Sequence, residues 1–180
     1  MNKNESGIFK LGLILLIFTG ISALMLSLVY SITRPIIEEN DLKKEKENIS
    51  IILPRVQSFD KEGDRYRIYS DKMKRNLIGY VFKTEAKGYG GPVVCQVGID
   101  LFGQVTGVVV SSHSETPGLG SKIEEKKKGQ AEPYFLLQFK KKTKDQIEGD
   151  IQALTGATIS SKAVINCVKE AFKKYLAIRK

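Results

Sequence analysis

Histidine occurs once in this 180-residue chain, cysteine twice, and no residue from Leu11 to Thr33 carries a charge. Each scarcity excludes something. The single histidine, His113, belongs to no Ser-His-Asp or Cys-His set suited to hydrolysis. Cys95 and Cys167 have neither CxxC nor metal-ligand spacing. They read as small core residues rather than ligands or a disulfide, and no metal site is expected. No internal repeat and no low-complexity segment is visible. The net charge of +9 is concentrated between Ser121 and Lys144, with eight lysines against three glutamates. No aromatic interleaving or recognised binding motif accompanies them, so nucleic acid is not an expected partner. A solvated basic face, near anionic lipid or an acidic partner subunit, is the reading.

The charge-free run is the first thing present in strength. It has 23 residues, about 34 Å of helix at about 1.5 Å per residue. A hydrocarbon core is about 30 Å thick, so the run spans it with some tilt. A soluble core helix rarely stays uncharged so long. A cleaved signal peptide has a shorter apolar stretch followed by small residues, whereas this one ends Tyr30-Ser31-Ile32-Thr33-Arg34. It reads as a retained, single-pass anchor. Lys3 and Lys10 precede it, and Arg34, Lys43, Lys44 and Lys46 follow it. That count mildly favours a cytoplasmic C-terminus, but long domains translocate largely regardless of charge.

The organisation expected is a polar tail over 1–10, a transmembrane helix over 11–33, a stalk over 34–55 and one α+β domain over 56–180. Glu38 to Asn48 is densely charged and reads as a helical stalk, continuous with the span or separate from it, that Pro54 ends. Arg65–Ser70, Asn76–Thr84, Pro92–Leu101 and Gln104–Ser111 alternate like strands. In the last, Val105, Gly107 and Val109 stand against Thr106, Val108 and Val110, with little polar contrast, which predicts burial on both faces. Phe102-Gly103 is a hairpin signal, and Gly63-Asp64 is another turn. Residues 87–92 read as a flexible loop and His113 to Gly120 as a second loop. Ser121–Lys128 is a candidate short helix, and Tyr134–Phe139 a candidate strand. The clearest soluble element is the last helix. Val164, Val168, Ala171, Phe172, Tyr175 and Leu176 form one stripe, and Lys173, Lys174, Arg179 and Lys180 crowd its final turns.

Thr155-Gly156-Ala157-Thr158-Ile159-Ser160-Ser161 is a hydroxyl-rich turn leading into that helix. Two readings stand side by side. A serine or threonine there caps the helix. Alternatively, the unpaired N–H groups and positive dipole end receive a phosphate, with small Gly156 and Ala157 allowing close approach. His113-Ser114-Glu115-Thr116-Pro117-Gly118-Leu119-Gly120 is a turn by its Thr-Pro-Gly. It is not a phosphate P-loop, since Gly120-Ser121-Lys122 lacks a glycine at 115. His113 is a proton-donor candidate or an ordinary loop residue. In Gly88-Tyr89-Gly90-Gly91-Pro92, Tyr89 either packs or stacks on a ligand.

Thr155-Gly156-Ala157-Thr158 resembles the S/T-G-A-T flavinylation motif of the FMN-binding domain family. Glu115-Thr116-Pro117-Gly118-Leu119-Gly120 resembles that family's second hallmark, and Gly88–Pro92 with Val97–Asp100 resembles its glycine-rich segment and first strand. The resemblance spans roughly Asn76 to Lys174. It implies covalent FMN, esterified through its phosphate to Thr158 by a dedicated flavin transferase, which makes the chain a flavoprotein with a phosphoryl-modified threonine. It further implies flavin contacts at Glu115, Thr116, Leu119, Gly120, Thr155, Gly156 and Ala157. The family often has Asp six residues before the modified Thr; here Gln152 stands there and the nearest acid is Asp150.

The short domain on one anchor is most similar to the G-type subunits of Rnf (Rsx) complexes, which pass electrons between ferredoxin and NAD and couple this to ion translocation. That similarity implies a redox subunit, incomplete as an enzyme alone and without catalytic residues of its own. It also implies other Rnf-type subunits, a flavin transferase and membrane lipid as partners. The expected location is the cell (inner) membrane with the C-terminal domain extracytoplasmic, against the charge count. The rivals are a subunit of another membrane flavoprotein reductase, such as the longer C-type subunit of sodium-pumping NADH:quinone reductases, and a cofactor-free membrane-anchored binding module.

Overall fold

The computed structural model describes residues 3–179. Lys180, and Met1 and Asn2 of the expected tail, lie outside the described residues. The chain divides into two compact units, one up to Glu45 and one from Lys46.

The first unit is helical. Helix α1 runs Lys3–Ile52 and includes residues expected in the tail, the span and the stalk. The expected polar tail is therefore helical from residue 3. Pro35 lies inside the helix, where it leaves the Ser31 carbonyl without its usual donor. The run from Phe9 to Lys44 is exposed throughout. An amphipathic core helix would hide one face. This one shows Leu13, Phe18, Leu24, Leu28 and Ile32 all more than half exposed, which is the surface of a helix whose solvent is lipid. Hydroxyls within the apolar stretch are satisfied by the helix itself: Thr19 and Ser22 donate back to the carbonyls of Leu15 and Phe18 at 2.9 Å each. That keeps polar groups paired where water is missing.

The second unit is a five-stranded antiparallel meander in the order β1-β2-β3-β4-β5. The strands are β1 (Ser58–Glu62), β2 (Arg65–Tyr69), β3 (Leu77–Lys87), β4 (Pro92–Asp100) and β5 (Val105–Ser112). Strand β1 was not expected from the sequence. Its half-exposed Ser-Phe-Asp-Lys-Glu lacks a hydrophobic pattern, and only pairing with β2 makes it a strand. Helices α2 (Tyr134–Leu137), α3 (Lys144–Gly149) and α4 (Thr158–Ile178) follow, after a 3-10 turn over Gly120–Glu124. The candidate strand at Tyr134–Phe139 is thus a helical turn. Phe135 and Phe139, spaced by four, meet edge-on with centroids 5.5 Å apart, a contact that helical spacing provides and strand alternation does not.

One face of the sheet packs under α4. Val93, Cys95, Val97 and Ile99 of β4 and Phe82 of β3 meet Val164, Cys167, Val168, Ala171 and Phe172. Leu176, placed on the stripe by spacing, is 43 % exposed, and Ala163 and Cys167 are buried in the same core. Arg179 is the C-cap residue, and the last turn before it holds no cation. The two thiols are free and buried. A hydrogen bond shared with Cys167, together with burial, pushes the Cys95 thiol well up, so it is not poised to react.

The second face is covered by Ile49, Ile52 and Leu53, which meet Tyr66, Ile68 and Val81. Strand β5 is buried on both faces as expected, but its parity is not simple. The register jumps from Gly98↔Gly107 to Ile99↔Val105, a bulge at Thr106 that puts Val105 on the same side as Val108 and Val110. Gly98 makes the second face possible. A Cβ there would stand 2.2 Å from Ile52 Cγ2 and 2.3 Å from Thr106 Oγ1. Gly98→Ala is expected to push Ile52 off the sheet and destabilise the domain by about 1–3 kcal/mol. Thermal unfolding of the full-length protein in detergent checks this; an unchanged Tm would mean the contact gives way freely.

Candidate functional site

Glu115 is where the loops converge. It follows β5 and is only 5 % exposed. Its Oε1 accepts the backbone N–H of Tyr89 at 2.8 Å and of Gly90 at 3.1 Å. Its Oε2 accepts the hydroxyl of Ser160, in the first turn of α4. One carboxylate therefore joins the β3–β4 link, the loop after β5 and the start of the last helix. A buried carboxylate loses several kcal/mol of hydration, and hydrogen bonds to a charged acceptor return about 1.5–3 kcal/mol each. The expected flexible loop over residues 87–92 is instead a tight hairpin, closed by Gly88 N–H to Gly91 O at 2.8 Å and tied to Glu115.

A cleft of about 370 Å³ opens beside this joint, within the size range of small-molecule sites. It is lined by Glu115, Thr116, Leu119, Gly120, Gly156, Ala157 and Thr158, seven of the eight residues expected at the site, and by Tyr89, Ile159 and Ser160. The lining carries no cationic side chain. Positive potential there comes from the N-terminus of α4, whose first N–H groups have no partner within the helix. The N-cap position is Ala157, and no side chain caps the helix. Thr158 is the first helical residue, and its side chain is exposed toward the cleft. Of the two readings of the hydroxyl-rich turn, the cap is thus not the one adopted.

The four hydroxyls of the turn separate cleanly. Ser160 and Ser161 are buried, at 2 % and 0 % exposure. Ser160 is held by Glu115, and Ser161 Oγ accepts the Leu154 N–H at 3.0 Å. Thr155 departs from its expected grouping. The turn closed by Ala157 N–H to Leu154 O at 3.0 Å, with Gly156 at φ +78°, sends Thr155 and Thr158 to different sides. Thr155 lines a separate, larger and more polar cleft of about 720 Å³ with Lys122, Tyr134, Gln138 and Gln152. Gln152, at the often-acidic motif position, is held by its backbone: its N–H donates to Gln138 Oε1 at 3.0 Å and its carbonyl accepts from Gln138 Nε2 at 3.2 Å. Asp150 pairs with Lys142 at 2.7 Å.

His113 does not line the cleft. Its Nε2 pairs with Glu124 at 2.9 Å, and its Nδ1 accepts the Glu115 N–H at 3.1 Å, a loop-ordering role. The sequence reading missed Ile159 and Ser160. Ile159 left a signal, an apolar residue in the helix yet off its buried stripe. Ser160 left none, because its partner lies 45 residues away.

Gly120 allows this arrangement. A Cβ there would meet Glu115 Oε2 at 2.4 Å and Ser160 Oγ at 2.7 Å. Gly120→Ala is expected to displace the carboxylate and so speed amide exchange at Tyr89 and Gly90, with the β3–β4 strand amides unchanged. Hydrogen exchange resolved to single residues checks it; protected Tyr89 and Gly90 amides in the variant would show that the joint tolerates the methyl group.

Comparison with known proteins follows the same segments. A family described as FMN-binding domain matches residues 88–173, and one described as RnfG N-terminal region matches residues 1–50. The G-type subunit of the proton-translocating ferredoxin:NAD(+) oxidoreductase complex of Clostridium ljungdahlii is 32 % identical over 181 residues, covering 96 % of this chain and 94 % of that one. The Na(+)-translocating counterpart of Acetobacterium woodii is 30 % identical over 195 residues, with coverage of 96 % and 94 %. The G-type subunit of the ion-translocating oxidoreductase complex of Methanosarcina acetivorans is 29 % identical over 187 residues, covering 94 % and 95 %. Among solved structures, Shewanella oneidensis NqrC is similar at 23 % identity and a TM-score of 0.47, over 70 % of this chain and 67 % of that one, a likeness too slight to bear on function.

Proposed function

The chain belongs to the family of G-type subunits of ion-translocating oxidoreductase complexes, and on that premise we propose that it is the FMN-carrying electron-transfer subunit of a membrane complex coupling ferredoxin:NAD electron transfer to ion translocation. The observation that carries the reading is kinship over nearly the whole of both chains. The cleft beside α4 fits the cofactor by its chemistry. It joins exposed apolar side chains to a helix N-terminus suited to a phosphate. Bound there, FMN would supply the electron acceptance and donation, and the protein's part is to hold it and tune its surroundings. The chain is a redox subunit of an oxidoreductase rather than a whole enzyme. Its partners are the other subunits of the complex.

The finer reading is that FMN is attached covalently, by a phosphoester to Thr158, through a flavin transferase. The turn supports Thr158 by elimination. Ser160 and Ser161 are buried and engaged, and Thr155 opens onto the other cleft. Thr158 alone of the four is exposed in the cleft lined by the helix start. The phosphoryl oxygens would accept from the unpaired N–H groups of the first turn. Thr158→Ala is expected to remove covalent FMN and the electron transfer that depends on it. The fold should shift by no more than about 0.5 kcal/mol, since the hydroxyl caps nothing. Thr155→Ala should keep covalent flavin. Peptide mass spectrometry of protein matured with a flavin transferase locates the adduct; an adduct on any other residue defeats the assignment.

The one long, exposed apolar helix found among the described residues and the kinship with membrane complexes support a membrane location. Topology is the remaining proposal: residues 34–180 extracytoplasmic, near lipid through the anchor. Protease added to intact spheroplasts is expected to remove the domain, whereas cleavage that needs permeabilised membranes would reverse the orientation.

A further inference from the structure

Tyr89 combines an exposed ring with a fixed backbone. The residue is 73 % exposed, yet its own N–H and that of Gly90 end on Glu115 Oε1. A Cβ on Gly90 would stand 2.1 Å from Ser114 O, so this link lies against the loop after β5 with no space between them. Among the described residues the Tyr89 ring has no aromatic partner, and its hydroxyl makes no hydrogen bond. Rigid backbone around an unpartnered aromatic ring is how a protein prepares a stacking surface, because little ordering remains to oppose binding.

Two more exposed apolar side chains share the cleft: Leu119, 54 % exposed, and Ile159, 51 % exposed. They come from different segments, one from the loop after β5 and one from the first turn of α4. Glu115 joins the three segments that carry them. Scattered single apolar residues on a surface need no explanation. Three converging on one small cleft, beside the helix start that the phosphate would occupy, form an apolar slot suited to a planar ring system.

We propose that Tyr89 is the stacking wall for the isoalloxazine ring, and that Glu115 is the positioning residue that holds Tyr89 there rather than a group that touches the flavin. The proposal rests on the flavin reading above and assigns the ring to this slot. Glu115 is 5 % exposed and both its oxygens already accept from the chain's own donors, so the exposed apolar surface offered to a ring is that of Tyr89, Leu119 and Ile159.

A tyrosine stacked on an isoalloxazine quenches its fluorescence by lending an electron to the excited ring and taking it back; phenylalanine and leucine do not. The test uses the full-length protein matured with a flavin transferase and purified in detergent. Flavin fluorescence is measured in the folded state and again after denaturation, and the second value counts the attached flavin. Tyr89→Phe and Tyr89→Leu are expected to keep the wild-type amount of flavin while folded-state fluorescence rises several-fold relative to the denatured value. Glu115→Ala should raise it likewise and expose the Tyr89 and Gly90 amides to exchange. Glu115→Gln, which keeps an oxygen for both amides, should stay near wild type. An unchanged folded-to-denatured ratio in Tyr89→Leu overturns the stacking role, whatever Glu115→Ala does. A wild-type protein that carries no flavin after denaturation overturns the flavin reading itself, and this assignment with it.

Discussion

The burial of one carboxylate organises the cleft. Glu115 receives two backbone amides from the β3–β4 link and one hydroxyl from the start of α4. These elements are separated by 25 to 45 residues, and no apolar contact among small residues such as Gly88, Gly90 and Gly120 would hold them together. A charge taken out of water must find donors. That requirement, rather than packing, brings glycine-rich loop, 3-10 turn and helix N-terminus to one point. Gly120 follows from the same demand, since any side chain there would occupy the place of the carboxylate.

The sheet supplies the rigidity on which the joint depends. Strand β4 is buried along most of its length and central to both cores: Val93, Cys95, Val97 and Ile99 face α4, while Gly98 meets the end of α1 at Ile52. A strand covered on both sides cannot shift its register without exposing one set of side chains. The β3–β4 link at its start is therefore held at a defined height beside α4. The cleft proposed for the cofactor thus sits where a stiff hairpin, a loop and a helix N-terminus meet, an arrangement that would receive a ring and a phosphate with little movement. For a carrier of electrons, small reorganisation of the surroundings is the useful property, and a prebuilt slot provides it.

Much of this was legible one residue at a time, and the failures have physical causes. Strands β2 to β5 and α4 were visible because alternation and a 3.6-residue stripe report burial directly. Strand β1 was not, because its residues are half exposed and its conformation comes from pairing with β2. Tyr134–Phe139 looked like a strand because an apolar run that short has no periodicity of its own. In β5 the bulge at Thr106 reversed the parity of Val105 relative to Val108, and a bulge leaves no mark in a pattern so rich in valine. The loop over residues 87–92 looked flexible because glycine is permissive in isolation; in place, Gly88 and Gly90 are there because the Glu115 carboxylate and the backbone of Ser114 are too close for a side chain.

The sequence by itself determined that the chain is anchored by one uncharged helix, that an α+β domain follows, and that two short motifs point to FMN. The first two depend on composition and on neighbours within a few residues, whereas the third rests on the resemblance of those motifs to the FMN-binding domain family. Only the tertiary structure decided which hydroxyl of Thr155, Thr158, Ser160 and Ser161 opens into the cleft, and that Glu115 ties three separate segments together. Local spacing cannot distinguish these, since all four hydroxyls lie within seven residues of the same turn. They separate because Gly156 turns the chain between Thr155 and Thr158 and because a carboxylate 45 residues away takes Ser160 for itself.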